Sequence, residues 1–138
     1  MSTMLWKENW AESRRHYLDW WAGKGLVITM WDYVRTVGAP HALVAVPPPA
    51  RDLNQRWFDP VWRAADIHYQ LANSSFKADI MAVANTHLGP GSLAAILGAE
   101  LEGSEDTIWI HPTPERNAPI VLDPNNRWWQ LHLDLVRL

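Results

Sequence analysis

Ten of the 138 residues are tryptophans, and this number strongly restricts how the chain can fold. Each indole buries a large apolar area, so a domain of this size must give much of its interior or its contact surface to these rings. Three uses are open: an aromatic core, a face that binds sugars or other rings, or a surface whose partner is missing. Helical spacing of Trp6, Trp10 and Trp21 favours packing. Trp20 and Trp129 fall off the apolar stripes, so we expect them to be exposed or covered by a missing segment.

The overall composition is that of one globular domain or a piece of a larger one. Hydrophobic residues make up 48% and charged residues 20% of the chain, and a formal net charge of −3 gives no attraction to nucleic acid. The absence of cysteine excludes a disulfide scaffold, a thiol nucleophile and a zinc–thiolate site. No leader is visible, and a Gly-Pro-Gly turn breaks the uncharged stretch 80–99. We therefore expect a cytoplasmic protein with no membrane span.

Hydrophobic periodicity predicts alternating helices and strands. Helices are predicted at 5–22, 59–76, 93–97 and from 123 onward, and strands at 26–31, 79–84, 107–111 and 119–122, with a loop at 32–54. This order favours an α/β fold. Leu138 ends the chain on the apolar stripe of Trp128, Leu131 and Leu135, which predicts a truncation at the carboxyl end.

The passage after the second predicted strand carries the strongest chemical signal. Chemistry in α/β folds lies beyond the carboxyl ends of strands, where His87 is a candidate acid or base. Free N–H groups at the start of the next helix are suited to an anion such as a carboxylate. The alternative is a strand-to-helix turn whose polar groups satisfy only one another. The residues concerned are Asn85, Thr86, His87, Gly89, Gly91 and Ser92.

A second candidate site follows the first predicted strand, at Asp32 and Arg35. An arginine there binds a substrate carboxylate through paired hydrogen bonds, whereas the alternative is a surface ion pair of little consequence. Because parallel strands present their carboxyl ends together, we expect Asp32 and Arg35 on the same side of the sheet as His87. The six histidines form no paired metal motif, so we assign no metal ligand and no cofactor site in this chain.

Five phrases, taken in order, carry a resemblance to a known family. They are Trp6-Lys7-Glu8-Asn9-Trp10, Leu88-Gly89-Pro90-Gly91-Ser92-Leu93, Gly98-Ala99-Glu100, Asp106-Thr107-Ile108-Trp109 and Asp123-Pro124-Asn125-Asn126-Arg127-Trp128-Trp129. Together they resemble the amino-terminal part of uroporphyrinogen decarboxylase-like proteins. The resemblance implies that residues 1–138 are roughly the first third of an eight-stranded β/α barrel of the TIM type, truncated at the carboxyl end.

The resemblance also implies a function, the amino-terminal portion of an enzyme of the decarboxylase or cobamide-dependent methyltransferase type. The substrate is then a small molecule that bears a carboxylate. Zinc or cobamide belongs to an intact methyltransferase-type protein, whose metal ligands lie in the carboxyl-terminal half. On this reading Asp32 and His87 are catalytic, and the substrate-binding residues are Arg35, Asn85, Thr86, Gly89, Gly91 and Ser92.

Two departures from the family pattern predict that this chain alone is inactive as a decarboxylase. True decarboxylases carry a Met-Arg-Gln-Ala-Gly-Arg phrase and a Phe-Ser-Asp-Ile phrase, where this chain reads Trp31-Asp32-Tyr33-Val34-Arg35 and Ala84-Asn85-Thr86-His87. The alternative function is a tryptophan-rich binding module without catalysis, which stacks on sugar or tetrapyrrole rings. Because a partial barrel exposes sheet edges, we also expect self-association.

Overall fold

The computed structural model describes residues 4–29, 34–35, 39–112 and 121–138. The chain divides into two compact units, unit 1 (1–46 and 67–84) and unit 2 (47–66 and 85–138). The elements are α1 (Trp10–Trp21), β1 (Val34–Arg35), α2 (Leu53–Phe58), α3 (Pro60–Ala72), β2 (Ser74–Ser75), α4 (Ser92–Ile96), β3 (Glu100–Gly103), β4 (Ile108–His111) and α5 (Arg127–Arg137).

Unit 1 packs a polar face of its first segment against the turn at 76–79. Lys7 is buried, and its Nζ donates to the carbonyl oxygens of Phe76 and Ala78. Ser13, the buried residue of α1, donates from Oγ to the same Ala78 oxygen at 2.9 Å. Burial lowers the pKa of Lys7, although the nearby Asp79 carboxylate opposes that shift. The amine is therefore held by hydrogen bonds to the backbone.

Asp79 ties three segments of unit 1 together. Its side chain is buried; Oδ2 accepts the Ile28 N–H at 2.9 Å, and Oδ1 lies 2.9 Å from Nδ1 of His16. The Asp79 N–H donates to the Ile28 oxygen at 2.9 Å, and the Tyr17 hydroxyl donates to the Asp79 oxygen at 3.0 Å. Burial alone raises the pKa of Asp79, but the hydrogen bonds from Ile28, His16 and Ser13 outweigh it and hold the pKa below its ordinary value.

Four rings form a stack in unit 1. Trp6 is stacked on His41 and on His68, with ring centroids 5.6 Å apart in both pairs. His41 is stacked in turn on Phe76 at 5.7 Å, and its Nε2 lies 2.7 Å from the Ser74 oxygen. The carbonyl can only accept, so this contact places a proton on Nε2 of His41.

The predicted helix at 5–22 begins late and buries a different face. Trp6 has a positive φ of 59°, which interrupts a helix, and α1 starts at Trp10. The predicted stripe is wrong for Trp21, whose side chain is 82% exposed, because the polar contacts of Ser13 and His16 decide which face is covered. Trp20 is exposed, as expected.

The predicted strands at 26–31 and 79–84 differ from what is observed. Residues 26–29 and 80–84 form no strand, and positions 30–31 lie outside the described residues. The reason is a long-range side-chain contact: the Asp79 carboxylate takes the Ile28 N–H that a ladder would use. The strands of unit 1 are instead β1 and β2, paired antiparallel with Val34 opposite Ser75. The assignment to a β/α barrel stays a prediction.

Helix α3 begins as predicted and ends earlier. Pro60 is its first residue, and Oδ1 of Asp59 accepts the Trp62 N–H at 3.0 Å, which confirms the Asp-Pro start. The helix ends at Ala72 rather than reaching residue 76, because the side chains of Asn73 and Ser74 take carbonyls of its last turn.

Unit 2 is built around an apolar core beneath a hairpin. Strands β3 and β4 pair antiparallel, from Glu100 opposite His111 to Gly103 opposite Ile108, and the Ser104 N–H closes the turn on the Thr107 oxygen at 2.8 Å. The side chains of α2 pack against the core from one side. The core consists of Leu88, Ala95, Leu101, Ile108, Trp128, Leu131 and Leu135, with Trp57 and Phe58 packed against it.

Several predicted elements of unit 2 are present, but some begin or end at other residues than predicted. The short helix (α4), the strand at 107–111 (β4) and the stripe of α5 are present, but Leu138 is exposed. The last helix starts at Arg127, since Asn126 caps it, whereas the Asp123 side chain accepts the Asn125 N–H in the turn before it. Of the weak strand at 119–122, residues 121–122 form no strand and the rest lies outside the described residues.

Replacement of Asp79 by asparagine is expected to destabilise unit 1 in a pH-dependent way. Near neutral pH, Asp79→Asn removes a buried charge that accepts from Ile28 and His16, which costs about 1–3 kcal/mol. Because the folded pKa of Asp79 lies below the unfolded one, its contribution is present above the unfolded pKa of about 3.9 and is lost as pH falls through the folded pKa. Urea unfolding followed by circular dichroism at neutral and acidic pH measures this.

The matched control is Asp19→Asn, an exposed aspartate of the same helix α1. This variant should leave the free energy of unfolding nearly unchanged at both pH values. A cost for Asp79→Asn that stays the same from neutral pH to about pH 3 would contradict the role given to the ionised carboxylate.

Candidate functional site

The turn at 85–92 lies in unit 2 and holds its polar groups in internal contacts. Nδ1 of His87 accepts the Gly89 N–H at 2.9 Å, and Nε2 lies 2.9 Å from Nδ2 of Asn85. Oδ1 of Asn85 accepts the His87 N–H at 3.2 Å. Arg63 donates to the carbonyl oxygens of His87 and Asn85 at 2.9 and 3.4 Å. These bonds fix the backbone of the turn and the orientation of the imidazole.

The second half of this turn is tied in the same way. Oγ of Ser92 accepts the Leu88 N–H at 2.8 Å and donates to the Gly89 oxygen at 2.7 Å. A Cβ at Gly91 would lie 1.9 Å from Cδ1 of Ile110, so a larger residue there would displace the Ile110 side chain. The Thr86 oxygen lies 3.4 Å from Nδ1 of His132. Hydrogen bonds within unit 2 therefore use most of the groups that were expected to meet a ligand.

The two predicted sites differ in how far the structure describes them. Asp32 lies outside the described residues, and Arg35 pairs with Ser74 in the β1–β2 ladder of unit 1. The expected approach of Asp32 to His87 thus stays a prediction. So do the ligand-binding roles of Arg35 and of the turn at 85–92.

A larger concave feature of unit 2 lies elsewhere, between helices α2 and α5. This α2–α5 groove has a volume of about 710 Å³, and it combines buried apolar side chains with exposed polar ones. Its lining residues are Arg51, Asp52, Asn54, Gln55, Phe58, Asp59, Pro60, Leu101, Arg127, Trp128 and Leu131.

The two carboxylates of the α2–α5 groove are engaged by helix starts. Oδ1 of Asp52 accepts the Gln55 N–H at 2.7 Å at the start of α2. Asp59 accepts the Trp62 N–H, and this hydrogen bond is the main cause that lowers the pKa of Asp59. The amides of the first helical turns thus partly balance the negative charge of both side chains.

The two arginines of the groove are held differently. Arg127 forms an ion pair with Glu100, and its guanidinium lies 4.0 Å from the centroid of the Trp128 ring. Arg51 is exposed, and its Nε donates to Oε1 of Gln55 at 3.3 Å. In the part of the chain that the structure describes, no carboxylate lies within ion-pair distance of Arg51. Arg51 therefore offers terminal N–H donors to a ligand.

The sequence predicts a loop at 32–54 and no helix at 53–58, so the groove residues on α2 were not predicted. A local signal was present: Asp52 is followed three residues later by Gln55, the spacing of a capping box. In the structure Asp52 caps Gln55, and Oε1 of Gln55 reaches back to the Arg51 N–H at 2.9 Å. The arginine is fixed at the groove by this cap.

Unit 1 holds a smaller pocket, of about 450 Å³. Its aromatic residues Trp6, His41 and Phe76 are already stacked on one another, so their faces are largely used. The other lining residues are Glu8, Asn9, Ala39, Ser75, Lys77 and Ala78.

Neither a metal site nor a membrane-spanning helix is found among the described residues, and no family is assigned to the chain. Among the described residues, no group of three histidine, aspartate or glutamate side chains is placed to hold a metal ion. No helix in the described ranges has the length and apolar character needed to cross a membrane. Comparison with known protein families, curated proteins and solved structures finds no match to this chain.

A methyl group at Gly91 is expected to destabilise unit 2 through one contact. Gly91 has a φ of −98°, which alanine tolerates, so the cost of Gly91→Ala comes from the overlap with Ile110 and should be about 1–3 kcal/mol. In an Ile110→Ala background the overlaps with Cγ1 and Cδ1 are gone and only the Cβ contact of 3.3 Å remains, so the cost should fall below about 1 kcal/mol. Urea unfolding of the four proteins measures both steps, and an unchanged cost in the second background would contradict the packing.

Proposed function

We propose that this chain binds a small organic molecule bearing a carboxylate, in the α2–α5 groove. The observation that carries the proposal is Arg51, an exposed guanidinium in a groove that also has an apolar wall. No carboxylate of the described residues lies within ion-pair distance of Arg51, and its charge acts on the Asp59 carboxylate only over a longer distance. A planar guanidinium binds a carboxylate through two parallel hydrogen bonds. The apolar wall, formed by Phe58, Leu101 and Leu131, suits the hydrocarbon part of the same molecule.

The size of the groove supports a ligand of this kind. Pockets for small molecules typically measure about 300–1,000 Å³ and combine apolar lining with a few placed polar groups. The α2–α5 groove, at about 710 Å³, falls within that range.

The open donors of Arg51 support a carboxylate as the ligand. Oδ1 of Asp52 and Oδ1 of Asp59, in the two carboxylates that line the groove, each accept a backbone N–H group. A carboxylate ligand needs only the terminal donors of Arg51, whose hydrogen bond to Gln55 uses Nε alone.

The wider assignment rests on the sequence resemblance. We propose that the chain is the amino-terminal portion of a cytoplasmic uroporphyrinogen decarboxylase-like enzyme. The phrase at 123–129, one of those that carry the resemblance, contributes Arg127 and Trp128 to the groove. The alternative, a module that stacks rings on tryptophan, would use exposed indoles such as Trp21 and Trp109, which do not line the groove.

Loss of the Arg51 charge is expected to weaken carboxylate binding. The wild-type chain should bind naphthoate more tightly than the neutral, similarly shaped naphthamide, and added salt should reduce that difference. Arg51→Gln should weaken naphthoate binding about tenfold, since a charge-assisted pair is lost, and should leave naphthamide binding unchanged. Isothermal titration calorimetry or ligand-observed NMR measures these affinities.

The matched control is Arg56→Gln, which removes a charge from the same helix. Arg56 pairs with Glu105 at 3.7 Å and does not line the groove, so this variant should bind naphthoate like the wild type. Equal affinities of the wild type for naphthoate and naphthamide would refute the proposal, as would an equal loss in both variants.

A further inference from the structure

We infer that the carboxyl end of helix α1 docks on the surface of an anionic lipid bilayer. The surface concerned is the α1 tip, defined as residues 18–26, and it belongs to unit 1. The inference is independent of the α2–α5 groove, whose lining residues all lie in unit 2. Docking on one face of a bilayer requires no spanning helix.

The α1 tip is exposed along its whole length. Every residue from Leu18 to Leu26 is exposed, and four of them have large apolar side chains. Trp21 is 82% exposed, Leu26 68%, Leu18 54% and Trp20 50%. Soluble domains seldom leave large apolar side chains grouped at the surface without a use, so this group marks a contact surface.

The apolar side chains of the tip point to opposite sides of the helix. Leu18 and Trp21 are three positions apart and share a face, whereas Trp20 is two positions from Leu18 and lies on the other side. A protein partner, including a second copy of this chain, covers one face of a helix. A lipid headgroup layer surrounds whatever enters it, so it covers all three side chains together.

Tryptophan is well suited to this position. Its ring is apolar, its N–H is a donor, and the residue is enriched at the headgroup level of membranes. The rings of Trp20 and Trp21 lie beside each other, with centroids 5.6 Å apart and a tilt of 49°. The end of the helix thus presents one broad amphipathic surface.

Cationic side chains next to the apolar ones favour an anionic surface. The stretch 14–26 has three exposed cations and one exposed carboxylate, a balance of +2 in a chain whose net charge is −3; these residues are Arg14, Arg15, Lys24 and Asp19. Among the described residues, no carboxylate lies within ion-pair distance of any of the three cations. Negative headgroups attract these cations, and negative charges elsewhere on the chain are largely screened beyond about 8 Å in physiological salt.

Backbone hydrogen bonds hold the tip in one conformation. The Gly23 N–H donates to the Trp20 oxygen at 2.9 Å, and the Lys24 N–H donates to the Asp19 oxygen at 2.7 Å. Gly23 has a φ of 74°, the left-handed conformation that commonly ends a helix. Because the backbone of the tip is already ordered, docking loses little conformational entropy.

Vesicle binding by the full chain tests the inference. The wild type should bind vesicles of equimolar phosphatidylcholine and phosphatidylserine about tenfold more tightly than vesicles of phosphatidylcholine alone, and added salt should reduce that preference. Trp21→Ser should weaken binding to the anionic vesicles about tenfold, since one indole no longer enters the headgroup layer. Lys24→Gln should weaken it about fivefold. Co-sedimentation with the vesicles measures these affinities.

Two matched controls come from unit 2. Trp109 is 60% exposed, but it lies opposite Glu102 in the β3–β4 hairpin, so Trp109→Ser should bind the anionic vesicles like the wild type. Arg56→Gln removes an exposed cation that pairs with Glu105, and it should also bind like the wild type.

A second measurement needs no variant. Hydrogen–deuterium exchange of the wild type should slow at the amides of residues 18–26 when anionic vesicles are added. Exchange in the β3–β4 hairpin should stay unchanged. This result would locate the contact even where a substitution disturbed unit 1.

Several results would overturn the inference. These are equal binding of the wild type to both kinds of vesicle, no binding to either, and a loss for Trp109→Ser as large as that for Trp21→Ser. Self-association without lipid that Trp21→Ser abolishes, in a chain that binds no vesicles, would assign the α1 tip to a second copy instead.

Discussion

The packing of the Trp128 indole is the interaction on which unit 2 depends. The residue stands in the first turn of α5, is buried in the core and meets Phe58 at the end of α2. One ring thus links the two helices that border the groove, and large aromatic side chains contribute most to such cores. The same burial leaves the indole N–H without a hydrogen-bond partner among the described residues.

Unit 1 is held by interactions of a different kind. Lys7, Ser13 and Asp79 are buried, and each is bonded to backbone groups or side chains of another segment. Burying ions is costly unless each finds partners, so these groups specify one arrangement of α1 against the turn at 76–79. Side-chain bonds to the backbone take the place of a regular ladder between residues 26–29 and 79–84.

The features that could be predicted from the sequence are those determined by residues a few positions apart in the chain. The Asp59 cap spans three residues, and the apolar stripe of α5 follows from helical spacing, so both were predictable. The polar cluster around Asp79 was not, because its bonds join residues 51 to 71 positions apart. The run at 79–84 has the apolar composition of a buried strand, and that composition gives no sign of a buried carboxylate at Asp79.

The candidate groove illustrates the same division. The cap formed by Asp52 and Gln55 spans three residues and is a local sequence signal. The prolines at 47–49 before it, however, favour an extended loop. The approach of α2 to Trp128 spans some 70 residues of sequence, from Phe58 to Trp128, and no local signal encodes it. The turn at 85–92 was located correctly as a structured turn, yet its own backbone uses most of the polar groups that suggested a site.

The central claim is that the α2–α5 groove receives an organic carboxylate, and intermolecular NMR contacts test it most directly. In a mixture of the isotope-labelled full chain with naphthoate, the ring protons of the ligand should give nuclear Overhauser effects to the side chains of Phe58, Leu101 and Leu131. Contacts to Trp6 and Phe76 of the unit 1 pocket, with none to those three groove residues, would contradict the account.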